Sequence, residues 1–271
     1  MILYVNKIFE KYFKWRLTRY YHFLKTFQYL INYKNCFSKN NSTLDFRNGL
    51  ILNFESNDAT KHIFSEIFIN ECYPVNKDPI NEKIIIDVGA NIGLFTFYSK
   101  IKCPNAKIFS IEPDPKNFKL LLENRRHNNL LQDVIPLDYA ITSDSNNNSF
   151  YLSDNPGWSS LYNTRGAKGG KMVRVKSLTL SSLLHHYKIS FIDILKIDVE
   201  GAEYDIILND NFIEQCKIKE IFVEVDKNPR DNRFKFSDLL DYLKINFDSI
   251  TINESNTDYP LIHGKNINYN L

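Results

Sequence analysis

The sequence predicts an α/β fold, a mostly parallel central sheet with helices on both faces, and three observations carry that expectation. From residue 83 onward, short and nearly continuous apolar runs alternate with longer stretches of helical periodicity. Strands that are buried on both faces read this way. The first run, Ile84-Ile85-Ile86, passes directly into a glycine-bearing loop and then into a helical stretch. Finally, 43% hydrophobic and 24% charged residues are ordinary globular values. No apolar run approaches the ~18–20 residues that a bilayer span requires.

Taken in order, residues 1–37 stand apart. They carry Lys7, Lys11, Lys14, Arg16, Arg19, Lys25 and Lys34 against Glu10, and Phe9, Phe13, Tyr20, Phe23, Phe27 and Leu30 recur at helical steps. The segment 1–42 therefore reads as a basic, aromatic-rich helical extension. Two uses stay open for it: attachment to an anionic membrane surface, or packing of the stripe on the main domain. Residues 43–271 form the expected main domain, with a core over 83–226. Two short strands flank the Asn48-Gly49 turn, and a helix over Asp58–Asn70 precedes a loop holding Pro74 and Pro79.

The strands expected next are Lys83–Val88, Ala106–Ile111, Val134–Tyr139, Phe191–Ile197 and Ile218–Val225. Helices are expected over Gly93–Lys100, Pro115–Asn129, Leu180–Tyr187, Gly201–Asn209 and Phe234–Phe247, with last strands near Ser249–Ile252 and Leu261–Ile262. The stretch Ser143–Gly170 is too long and too rich in Ser, Asn and Gly for an ordinary connection. Flanked by Phe150-Tyr151-Leu152 and Met172–Val175, it reads as a hairpin-like insertion (about 143–176), with Trp158 on a lid over the crevice.

The chemistry gathers at two places. In Asp87-Val88-Gly89-Ala90-Asn91-Ile92-Gly93, Gly89 permits a sharp turn and close ligand approach, and Gly93 permits tight helix packing. The third glycine of a dinucleotide loop is missing. A leading Asp87 suits a cationic amino group, or braces the loop that binds one. Glu112, in Glu112-Pro113, closes the next strand and can accept hydrogen bonds from ribose hydroxyls. Asp138, at the third strand's end, can reach a nucleobase amino group. Together these residues point to a nucleoside-containing cofactor.

The second place is Lys196-Ile197-Asp198-Val199-Glu200. Strand alternation puts Lys196, Asp198 and Glu200 on one side, at the carboxyl end of the sheet where ligands bind. A structural Lys196–carboxylate pair would account for such charges. So would a site in which a carboxylate, or a metal it holds, takes a proton from an attacking hydroxyl. Asp198, Glu200 and Glu224 would suit Mg²⁺. His185 and His186 are adjacent on a helix and face different sides, which makes them poor joint ligands.

These segments, with Ser159-Ser160-Leu161, make the chain resemble the FkbM family of methyltransferases over roughly residues 60–226. The resemblance implies a Rossmann-like class I methyltransferase fold that uses S-adenosylmethionine. It implies O-methylation of a sugar, glycan or other small molecule. It implies cofactor roles for Asp87, Gly89, Asn91, Gly93 and Glu112, and functional weight for Lys196, Asp198 and Glu200. A nicotinamide-dependent oxidoreductase and a non-catalytic nucleoside-binding protein are the competing expectations.

A net charge of +2 makes nucleic acid an unsuitable main partner. Cys36, Cys72, Cys103 and Cys216 form no CxxC pair, which fits a reducing, cytoplasmic setting. No signal peptide is expected, because no apolar stretch with a small-residue cleavage site follows Lys7.

Overall fold

A computed structural model describes residues 20–32, 38, 42–55, 58–144, 148–153, 159–162, 171–227, 233–254 and 258–267. Trp158, Cys36 and the basic residues before Tyr20 lie outside the described residues. The chain forms two compact units, Met1–Cys72 and Tyr73–Leu271.

In the first unit, helix α1 covers residues 20–29 and a hairpin pairs β1 (Thr43–Asp45) with β2 (Ile51–Asn53). Gly49 turns the hairpin at φ +87°, a conformation that side-chain-bearing residues rarely adopt. The single helix expected after it divides into α2 (Asp58–Phe64) and a π-helical segment, Ser65–Ile69. The wider turn lets the consecutive residues Ile67, Phe68 and Ile69 all be buried, whereas a 3.6-residue period would carry one of them outward. Phe68 packs with Tyr29, Phe46 and Phe64 at ring distances of 4.7–5.3 Å.

The second unit is built on β3 (Ile84–Val88), β4 (Lys107–Ile111), β5 (Val134–Leu137), β10 (Phe191–Ile197), β11 (Lys217–Glu224), β12 (Ser249–Asn253) and β13 (Leu261–Lys265). They lie side by side in the order β12-β13-β11-β10-β3-β4-β5. β13 runs antiparallel to both neighbours, and the other pairings are parallel. The sheet is Rossmann-like, with its chain order reversing between β3 and β10. The connecting helices are α3 (Leu94–Lys102), α4 (Pro115–His127), α5 (Leu180–Tyr187), α6 (Glu203–Asn209), α7 (Phe212–Gln215) and α8 (Phe236–Asn246). Ile86, Phe109, Leu195, Ile197, Ile221 and Val223 are at most 1% exposed and form the centre of the core. Register places Ser110, Asp87 and Lys196 in one row across β4, β3 and β10, a polar line through an apolar sheet.

The insertion departs from the simple hairpin in one respect. β7 (Asn148–Tyr151) does pair antiparallel with β8 (Met172–Val175). At its base, however, β6 (Ala140–Ile141) leaves the main sheet to pair in parallel with β9 (Ser177–Leu178). The strand expected to reach Tyr139 therefore stops at Leu137, because the chain turns away to hold the insertion.

Candidate functional site

The loop after β3 is held by its own backbone. Gly89 and Ala90 donate N–H bonds to Ile111 O at 3.0 and 2.9 Å. Gly89, at φ +81°, lies against the end of β10, and an added Cβ would stand 1.8 Å from Asp198 O. Gly93, at φ +100°, begins α3 against Leu121. Between them Asn91 also takes a positive φ of 52°. Its N–H donates to Glu112 Oε2 at 2.7 Å, and Asp114 N–H donates to Oε1 at 2.9 Å. Burial pushes the Glu112 carboxyl up to about 7 against these two donors. An apolar cleft follows, lined by Gly89, Ile111, Pro113, Tyr139, Leu161 and Val199.

Asp87 lies beneath the loop, fully buried, with Oδ2 accepting from Thr96 Oγ1 at 2.9 Å. Thr96 in turn meets Ser110 Oγ at 2.7 Å. Asp87 Oδ1 has the Lys196 ammonium 3.4 Å away, an ion pair without a hydrogen bond of good geometry. Burial raises the Asp87 carboxyl, and Lys196 and Thr96 act against that rise.

Lys196 is almost fully buried and joins the two halves of the site. Its Nζ donates to Gly89 O at 3.1 Å and stands 3.1 Å from Asp198 Oδ2. Burial lowers its affinity for a proton, but the charges of Asp198 and Asp87 outweigh that and raise it, so the group stays an ammonium. Past Asp198 the strand alternation ends. Glu200 takes φ +58° and Gly201 φ +115°, a left-handed turn unusual for a glutamate. Glu203 holds this turn by accepting N–H bonds from Val199 and Gly201 at 3.0 and 3.1 Å. The Glu200 carboxyl is pushed well above the usual range by burial and then by the charges of Asp198, Glu203 and Glu224.

Sequence reasoning missed three participants. Tyr73 sends its hydroxyl to Glu224 and Asp198. Thr96 braces Asp87. Asp114 caps α4 and accepts from Ser159 Oγ at 2.8 Å, which ties the insertion to the start of that helix. Thr96, one turn into the helix after Gly93, could have been found from helical spacing, whereas Tyr73 has no such signal. Of the expected residues, Asp138 is half exposed and paired with Lys176 at 2.7 Å. The Mg²⁺ expectation does not fit: among the described residues no group of three His, Cys, Asp or Glu is arranged to hold a metal. The Lys196 ammonium lies between Asp87 and Asp198, and the Tyr73 hydroxyl between Asp198 and Glu224.

Residues 87–250 match the family model for the methyltransferase FkbM domain. The chain is similar to Methyltransferase sdnD of Sordaria araneosa, 34% identical over 173 residues, which cover 54% of this chain and just under two thirds (66%) of that protein. It is similar to 31-O-demethyl-FK506 methyltransferase FkbM of Streptomyces tacrolimicus at 22% identity, covering 68% and 81% of the two chains. It is also similar to the hexuronic acid methyltransferase AglP of Haloferax volcanii at 25% identity, covering 69% and 72%. With the family model spanning more than half its length around the loop and cluster described above, the chain belongs to the FkbM methyltransferase family.

Proposed function

We propose that this protein transfers the methyl group of S-adenosylmethionine to a hydroxyl on a sugar, glycan or other small-molecule acceptor. The observation that carries the reading is the juxtaposition across the β3/β10 switch point. A loop closed on the buried Glu112 and an apolar cleft stand on one side, and the Lys196–Asp198–Glu200 cluster on the other. The residues present suit a nucleoside bearing a sulfonium. Glu112 receives ribose hydroxyls, Asp138 beside Tyr139 receives the base's amino group, and the cleft takes the ring. Gly89, Asn91 and Gly93 shape the loop, while Asp87 braces it from below. The bound cofactor supplies an electrophilic methyl group. Lys196 holds Asp198 in place, and Glu200, in the turn that follows the same strand, takes the acceptor's proton. The names of two relatives, a 31-O-demethyl-FK506 methyltransferase and a hexuronic acid methyltransferase, support a hydroxyl acceptor.

Calorimetric titration of S-adenosylhomocysteine and NAD, beside a Glu112→Ala control, tests this. Micromolar binding of the first, about 8 kcal/mol, that collapses in the control is the expected result. Preference for NAD would overturn the reading, and binding without transfer to any acceptor in a panel would leave a nucleoside-binding protein.

A second reading concerns the first unit. Tyr20, Phe23, Leu24, Phe27 and Ile31 are 42–61% exposed and fall on one stripe of α1 and its end. Together with the basic excess of residues 1–37, the stripe favours peripheral contact with an anionic membrane. No described helix is long and apolar enough to cross one.

A further inference from the structure

Tyr73 comes from the segment before β3, outside the region the family model matches. It is 3% exposed. Its ring meets Phe95 and Phe222 edge-on at 5.5 and 5.8 Å, and the Lys196 ammonium stands 5.5 Å from the ring centre. Three neighbours therefore fix the ring, and the ring fixes its hydroxyl. That hydroxyl lies 2.7 Å from Glu224 Oε2 and 3.3 Å from Asp198 Oδ2, so it bridges carboxylates at the ends of adjacent strands. A phenol has one proton to donate. The shorter bond takes it to Glu224, which leaves Asp198 to Lys196.

We propose that Tyr73 is a positioning residue for the acceptor end of the site, its hydroxyl setting the spacing and charge of Asp198 and Glu224 around Glu200. The inference rests on the methyl-transfer reading for what the cluster does, though not for the bridge itself. Two carboxylates at neighbouring strand ends repel each other, and Lys196 can neutralise one charge. The phenol donor stabilises the second without adding charge. It also keeps both carboxylates at fixed distance from Glu200, which faces Asp198, Glu203, Glu224 and Lys196.

Tyr73→Phe removes the hydroxyl and keeps the ring, so the fold should survive, and a melting curve checks that. Two measurements follow. The first is a ¹³C-carboxyl NMR titration of the protein alone, with the Glu200 signal assigned through Glu200→Gln. Loss of the donor removes its screening of the Glu224 charge at Glu200, and the expected outcome is a further rise of the Glu200 midpoint by about half a unit or more. The second uses radiolabelled S-adenosylmethionine with a panel of neutral hexopyranosides and hexuronic acids. On whichever acceptor the wild type methylates, kcat should fall about tenfold or more and its acid limb should move to higher pH. The affinity for S-adenosylhomocysteine should stay within about twofold, a KM-against-kcat split that a merely structural role would not produce.

An unchanged Glu200 titration overturns the proposal, as does a Tyr73→Phe enzyme whose kcat and pH profile match the wild type. If the wild type neither binds S-adenosylhomocysteine nor transfers a methyl group, the methyl-transfer reading fails, and the titration decides the role of Tyr73 alone.

Discussion

At the scale of single residues, Gly89 makes the sharpest demand. Its positive φ and the carbonyl of Asp198, 1.8 Å from where a Cβ would be, leave no room for a side chain. The obstacle is backbone, which cannot rotate aside. Gly89→Ala should therefore lose roughly 3 kcal/mol or more of stability, and with it the proposed binding of S-adenosylhomocysteine. Thermal denaturation and calorimetry measure both, and a variant that melts with the wild type would refute the close approach. Gly89, Glu112 and Lys196 were readable in the sequence because each sits at a fixed offset from a strand end. Tyr73 was not, since 125 residues separate it from Asp198 and neither its type nor its neighbours mark it. Glu200 was placed by alternation, a rule that ends where φ turns positive.

At the scale of elements, hydrophobic periodicity located nearly every strand and helix of the second unit, and Phe191–Ile197 and Leu180–Tyr187 appear with the expected bounds. The β6·β9 pair was illegible because two residues in each strand are too short to show a period. The division of Asp58–Asn70 into α2 and a π-helical segment was hidden for a related reason: burial of three successive apolar residues selected the geometry. α1 has a definite expectation attached. If its apolar stripe meets an anionic bilayer, the full chain should sediment with vesicles containing about 30% anionic lipid and lose most of that binding at high salt. Phe23→Ser with Phe27→Ser should abolish the association without lowering S-adenosylhomocysteine affinity. Equal recovery with neutral vesicles would contradict the electrostatic part, and no recovery would refute the contact.

For the whole molecule, buried carboxyls set the response to pH. Burial pushes both Glu112 and Glu203 up to about 7, above their unfolded values. The folded state therefore holds their protons longer than the unfolded chain does. The stability this represents is complete below about pH 4.5 and is lost as pH rises through 7, on the order of 3 kcal/mol per group. Urea melts at pH 5 and pH 8 should show the loss in the wild type and a smaller one in Glu203→Gln. Parallel behaviour of the two proteins would show that Glu203 is not the source.

The Lys196 ammonium has a consequence beyond charge balance. It holds Gly89 O in one direction and Asp198 in the other, so the two sides of the crevice share one donor. Occupancy of either side that redistributes those bonds is felt at the other, and thermodynamic linkage makes the influence equal in both directions. The two substrates of such an enzyme would not bind as strangers: each would change the other's dissociation constant by the same factor.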